Sequence, residues 1–179
     1  MIAILLADGF EEIEALTPLD VLRRAGLDVR TVAIGSKIAV GSHKIPVICD
    51  LLPNEVNPDD VSMLILPGGM PGSLNLDAND FTDKIISAVT NNGGRIAAIC
   101  AAPLILGKRG LLNGKEAICY PGFECELKGA VISKKPVVTD GNITTAKGMG
   151  VALEFAIELV RLILGEDEAD KIASSVMKA

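Results

Sequence analysis

Apolar and polar positions along this chain alternate between two rhythms. Ile2 to Ala7 is an unbroken apolar run, the mark of a strand buried on both faces of a parallel sheet. Glu11 to Ala25 then places Ile13, Leu16, Leu19, Val21 and Leu22 near the helical period. Its first turn is acidic (Glu11, Glu12, Glu14), its last basic (Arg23, Arg24), and Gly26 ends it. Leu27 to Ile34 reads as a second strand, so the chain opens βαβ and implies a right-handed crossover in a doubly wound sheet. Two short strands flank a Gly41–Lys44 turn, with Pro46 marking an edge. A polar loop over 54–60 leads to a buried strand, Val61 to Leu66, that runs straight into Pro67-Gly-Gly-Met-Pro-Gly72. Asp80 to Asn92 is an amphipathic helix built on Phe81, Ile85, Ile86 and Val89. After the next apolar run, Arg95 to Cys100, a helix-forming run starts at once. Ala117–Tyr120, Phe123–Lys128, Val137–Asp140 and Asn142–Ala146 are strand-like, and Lys147-Gly-Met-Gly150 breaks the last of them. Val151 to Leu164 and Glu166 to Val176 are the closing helices. No repeat or linker interrupts the pattern, so one α/β domain is expected.

Composition narrows the function classes. A chain of 179 residues suits one well-buried domain, and 49% hydrophobic residues with 3% aromatic and no Trp make its core aliphatic. A net charge of −6 argues against nucleic acid or an anionic membrane as partner. No apolar run reaches membrane-spanning length, and the one after Met1 is too short for a signal peptide, so a cytoplasmic protein is expected. There the four cysteines stay reduced; without a C-x-x-C pair and with a single histidine, no metal site is expected.

The chemistry concentrates at one edge of the predicted sheet. A cysteine between a strand and an abrupt helix occupies a sharp turn, with small Ala98 and Ala102 two residues to either side and Pro103 in the first helical turn. Such a nucleophile elbow sets the Cys100 thiol against helix amides, which favour thiolate. Gly68-Gly69, at the carboxyl end of a neighbouring strand, lets backbone approach a ligand and offers amides to an anion. Neither a phosphate-loop nor a dinucleotide fingerprint is present, so no cofactor is expected. No histidine follows Cys100. The acids nearest by topology are Glu11, Glu12 and Glu14, of which Glu11 and Glu14 share a helix face while Glu12 points about 100° away. His43, at a hairpin tip, reads as a solvated turn residue.

Asp8-Gly-Phe-Glu-Glu-Ile-Glu14, Leu66-Pro-Gly-Gly69 and Ala97-Ala-Ile-Cys100-Ala-Ala-Pro103, with Asp20–Gly26 and Ala146–Gly150, resemble the Parkinsonism-associated deglycase branch of the ThiJ/PfpI superfamily, over nearly the whole chain. The resemblance implies a single flavodoxin-like domain of the class I glutamine amidotransferase-like type: a doubly wound, mostly parallel sheet sandwiched by helices, usually as a homodimer. It implies that Cys100 is an oxidation-sensitive nucleophile and that Glu14 is the acid that hydrogen-bonds it in protonated form. It assigns the anion-stabilising pair to the Gly69 and Ala101 amides. It sets Cys49 near the dimer interface and Lys44 where a basic group reaches a partner's pocket. Tyr120, with Gly68, borders the substrate; Tyr120 stands where some relatives carry a histidine, and Ala101 where the protease-like branch does. The implied reaction is cofactor-free conversion of methylglyoxal or glyoxal to the hydroxy acid, with removal of early glycation adducts. Two other readings remain: a redox sensor or oxidative-stress chaperone using Cys100 oxidation, and an amidase that would need His43. Cys119 and Cys125 read as structural thiols.

Overall fold

Every residue of the first strand is buried because the sheet carries helices on both faces, which is why its sequence shows no alternation. The computed structural model describes residues 1–178. Its elements in chain order are β1 (Ile2–Leu6), α1 (Glu12–Arg24), β2 (Val29–Ala33), β3 (Ile38–Val40), β4 (Pro46–Ile48), β5 (Met63–Leu66), α2 (Gly72–Asp77), α3 (Asp80–Asn91), β6 (Arg95–Ile99), α4 (Pro103–Lys108), β7 (Glu116–Ala117), β8 (Val131–Ile132), β9 (Val137–Asp140), β10 (Ile143–Ala146), α5 (Ala152–Leu164) and α6 (Glu166–Ser175). The main sheet runs β2-β1-β5-β6-β10-β9, parallel throughout except for β9 at the edge. Ile2, Ile4 and Leu6 join α1, α5 and α6 in one core layer, around Leu22 and Phe155. Ala3 and Leu5 face the opposite layer, with Ile85, Ile86 and Val89 of α3 and Leu104–Leu106 of α4. This is the doubly wound, flavodoxin-like sandwich the resemblance implies.

The topology sets the site's position. Strand order reverses between β1 and β5, and loops leaving the carboxyl ends of β1, β5 and β6 meet there. The β3–β4 hairpin stands apart from the sheet and is pinned to the loop before α1. Gly9 N–H donates to Val40 O at 2.8 Å, and Ser42 N–H to Phe10 O at 2.8 Å. Among the described residues, no helix is long and apolar enough to cross a membrane.

Several elements differ from the sequence-based expectation, each for a local reason. The run 123–128 is not a strand: Glu124–Glu126 forms a 3-10 turn, with Phe123 and Leu127 turned inward against the core. Of 117–120 only Ala117 lies in a strand, β7, which pairs in parallel with an unpredicted two-residue partner, β8. The short α2 escapes detection because its Gly-Ser-Leu-Asn-Leu-Asp has no capping side chain and too few turns to show a period. The first helix begins at Glu12, and its buried face carries Glu12, Glu14, Ala15, Val21 and Leu22, leaving Ile13 47% exposed. Apolar periodicity missed that two carboxylates occupy the inward positions.

Candidate active site

Cys100 sits at φ 65°, a left-handed conformation that costs a non-glycine residue energy and that a strand-to-helix elbow imposes. Its amide donates to Ala146 O at 2.9 Å, and its carbonyl accepts from the Tyr120 amide at 2.8 Å, so the strained residue is clamped between β10 and the loop after β7. The following helix does not start at once. Ala101 and Ala102 complete the turn, and α4 then runs for only six residues from Pro103. The amides that face the sulfur are those of Gly69 and Ala101.

Glu14 enters from α1, 1% exposed. Gly68 N–H donates to its Oε2 at 3.0 Å, whereas the equally buried Oε1 receives no well-directed hydrogen bond. Burial lifts the carboxyl from its ordinary 4.5 to about 7; the neighbouring Cys100 thiol and the Gly68 and Met149 amides pull it down, and the charge of Glu11 pushes it up. Gly68 is bare because it must be. A Cβ there would lie 2.5 Å from Glu14 Oε2 and 2.6 Å from Cys100 Cβ.

For the thiol the balance runs against the sequence-based expectation of a depressed pKa. Burial, then the charge of Glu14 and the hydrogen bond to it, push Cys100 up to about 12, and the Gly69 and Ala101 amides only partly offset them. A six-residue helix supplies too little dipole to reverse this. Two of the three raising influences come from Glu14 itself, so they depend on where the pair's proton resides.

The other two glutamates are occupied elsewhere. Glu11 lies outside the helix as its N-cap, accepting from Glu14 N–H at 2.8 Å, so it shares no helix face with Glu14. Glu12 is 3% exposed and accepts from His43 twice, from the backbone amide at 2.8 Å and across 2.9 Å from Nδ1. Burial raises its pKa, but these hydrogen bonds prevail and hold it below the usual carboxylate range; the same pairing raises His43. His43 is therefore a partner of Glu12 and makes no hydrogen bond to Cys100. The Glu11, Glu12 and His43 ligand atoms lie within 4.8 Å of one another, but they are already spent on these internal bonds.

Tyr120 is 51% exposed beside a pocket lined by Pro121 and residues 147–151. Gly148, to which no role was assigned from sequence, closes on the pair. A Cβ there would lie 3.8 Å from Glu14 Oε1 and 4.0 Å from Cys100 Sγ. The only sequence signal for it is the strand break at Lys147-Gly-Met-Gly150. Lys44 occupies the exposed hairpin turn at φ 69° and makes no hydrogen bond to the pair. Cys49 and Cys119 are buried and Cys125 is exposed.

Known proteins share this arrangement's frame. The Drosophila melanogaster protein dj-1beta is 34% identical over 179 residues, covering 98% of this chain and 96% of its own. A Pyrococcus abyssi protein named as a deglycase is 32% identical over 165 residues, covering 90% of this chain and 98% of its own. The oxidized DJ-1 structure of Toxoplasma gondii superposes with a TM-score of 0.95 at 31% identity, over 99% of this chain and 98% of that one. With residues 1–162 matching the DJ-1/PfpI family model, the chain belongs to the DJ-1/PfpI family.

Proposed function

We propose that the chain converts small dicarbonyls such as methylglyoxal and glyoxal to 2-hydroxy acids without a cofactor, and removes early glycation adducts by the same chemistry. One observation carries this reading: a buried Glu14 carboxyl that titrates at about 7 beside a thiol on a strained elbow. Above about pH 7 the pair holds a single proton, and it titrates as a unit. With that proton on Glu14 the like charge facing the sulfur is gone, and the Gly69 and Ala101 amides stabilise the thiolate. Sγ then bonds to the aldehyde carbon while Glu14 gives its proton to the carbonyl oxygen, forming a hemithioacetal. The Glu14 carboxylate next removes the proton on that carbon and returns it to the neighbouring carbon, leaving a thioester. Water cleaves the S–C bond, releasing the hydroxy acid and the thiol. The same two amides hold the oxyanion in each addition. The deglycase name of the Pyrococcus abyssi relative supports this chemistry.

Initial rates of methylglyoxal disappearance measured from about pH 5 to about pH 9 test it. The doubly protonated pair is inert, so the rate should rise through about 7, where Glu14 titrates, and then level. A flat profile would contradict the shared proton.

A second reading, peroxide oxidation of Cys100 as a stress signal, is favoured by the orphaned Oε1 of Glu14: once protonated, it can donate to an oxygen added to sulfur. The oxidized Toxoplasma gondii relative supports it. Uptake of two oxygens at Cys100 in a protein that turns over no dicarbonyl would select this reading.

The proposal includes a cytoplasmic homodimer, with Lys44 reaching the partner's site. The exposed Ile13 of α1, and Ile48 of β4, 77% exposed, give such a partner apolar surface to cover. Light scattering at micromolar concentration should report twice the chain mass, and a clean monomer would remove any role for Lys44 in trans.

A further inference from the structure

Gly148 is bare for a reason that neither backbone nor packing supplies. Its φ of 160° and ψ of −172° are extended, a conformation open to any residue. A Cβ at this position would meet nothing closer than Tyr120 Cδ2 at 3.4 Å. Gly68 differs, because there the same atom would collide with Glu14 and Cys100. The missing side chain at 148 therefore leaves an opening one methyl group deep. It is bounded by Cys100 Sγ, by Glu14 Oε1 and by the edge of the Tyr120 ring.

Two further features make this opening a place for a ligand. Glu14 Oε1 borders it, buried and without a well-directed hydrogen bond, so a hydroxyl lodged there, or a carbonyl once the acid is protonated, would find a partner. Outside it, the surface formed by Tyr120, Pro121, Met149 and Val151 is apolar, with Lys147 its only charge. Tyr120 and Met149 are 51% and 54% exposed, and the hydrogen bond that the Tyr120 N–H donates to Cys100 O fixes the start of that side chain next to the thiol.

We propose that Gly148 and Tyr120 set substrate choice: the opening at Gly148 admits the aldehyde carbon, and the Tyr120–Met149 surface takes the substituent on the second carbonyl. The substrate class that fits is a 2-oxoaldehyde with a flat apolar substituent. Polyhydroxylated dicarbonyls would lose solvation against this rim without gaining a comparable partner, whereas a carboxylated one would still meet Lys147. The substrate preference rests on the function proposed above; the opening at Gly148 does not.

The experiment has two arms. In the first, iodoacetamide and hydrogen peroxide react separately with wild type and Gly148→Ala, and modification of Cys100 is followed by peptide mass. The added methyl group should slow alkylation by about tenfold or more, the usual effect of one misplaced carbon in a fitted pocket. The smaller peroxide should react with Cys100 at the wild-type rate, which also shows that the variant retains its folded site. Equal alkylation rates would overturn the role of Gly148. In the second arm, kcat/KM is compared for phenylglyoxal and methylglyoxal. Wild type should favour phenylglyoxal, Tyr120→Ala should lose the preference, and Tyr120→Phe should keep it. A preference unchanged in Tyr120→Ala would overturn the role of the ring. Absence of any dicarbonyl turnover would overturn the substrate preference together with the proposed function, while the alkylation arm still decides on the opening.

Discussion

Glutamine in place of Glu14 should leave a protein whose Cys100 still alkylates but whose conversion of methylglyoxal falls by roughly 10²–10⁴-fold, the range lost with a general acid–base. The substitution is nearly isosteric, and the side-chain carbonyl can still accept the hydrogen bond that Gly68 N–H gives to Oε2 at 3.0 Å. It cannot take the proton from one carbon of the hemithioacetal and return it to the next. Without a carboxylate beside it the thiol also loses the like charge that helps push it up to about 12, so nucleophilicity survives while isomerisation does not. Glu14→Leu should lose turnover as well, and it additionally strands the Gly68 amide. Paired measurements of alkylation and turnover separate the two functions of the site. Turnover by Glu14→Gln within about threefold of wild type would mean that the proton travels by another route.

The same substitution should also change how stability depends on pH. Glu14 titrates at about 7 in the folded chain against 4.5 when free, so the folded state holds this proton more tightly than the unfolded state. The resulting stabilisation is complete below about 4.5 and is lost as pH rises through about 7. At about 1.4 kcal/mol per unit, the loss is about 3 kcal/mol. Glutamine is neutral throughout and escapes it. The two proteins should therefore melt together at acidic pH and separate as pH rises, until Glu14→Gln is the more stable by roughly 6–12 °C, given the size of the chain. Parallel melting curves across that window would show that the carboxyl is not held neutral by the fold. If the curves separate as expected, the wild-type site costs stability at neutral pH in order to keep an acid beside the thiol, the compromise expected where activity requires an unfavourable buried group.

The sheet and the elbow were legible in the sequence because both depend on features of a single segment. A both-faces-buried strand has to be apolar along its whole length, as Ile2–Leu6 and Ile96–Ile99 are. A cysteine wedged between such a strand and Pro103 can only lie on a turn. The choice among three glutamates was not legible from spacing. It rests on what each carboxylate meets around the start of α1: Glu14 the loop after β5 at Gly68, Glu12 the β3–β4 hairpin at His43, and Glu11 the helix's own amide at Glu14. The resemblance picked out Glu14, but residue patterning alone placed Glu11 in the helix, and, while it correctly read His43 as a solvated turn residue, it did not pair it with Glu12. The elevated thiol was also beyond reach, since it depends on burial and on the charge of a residue from another element. Gly148 looked like a strand breaker because nothing in one dimension shows that its missing side chain faces Cys100 and Glu14.

Mixing purified protein with methylglyoxal and identifying the product tests most directly whether Cys100 and Glu14 together convert a dicarbonyl to a hydroxy acid. Wild type should form lactate over many turnovers with no added cofactor, and Cys100→Ser should form none above the uncatalysed rate. Lactate formed equally by Cys100→Ser, or methylglyoxal consumed by wild type only once per thiol, would contradict the account.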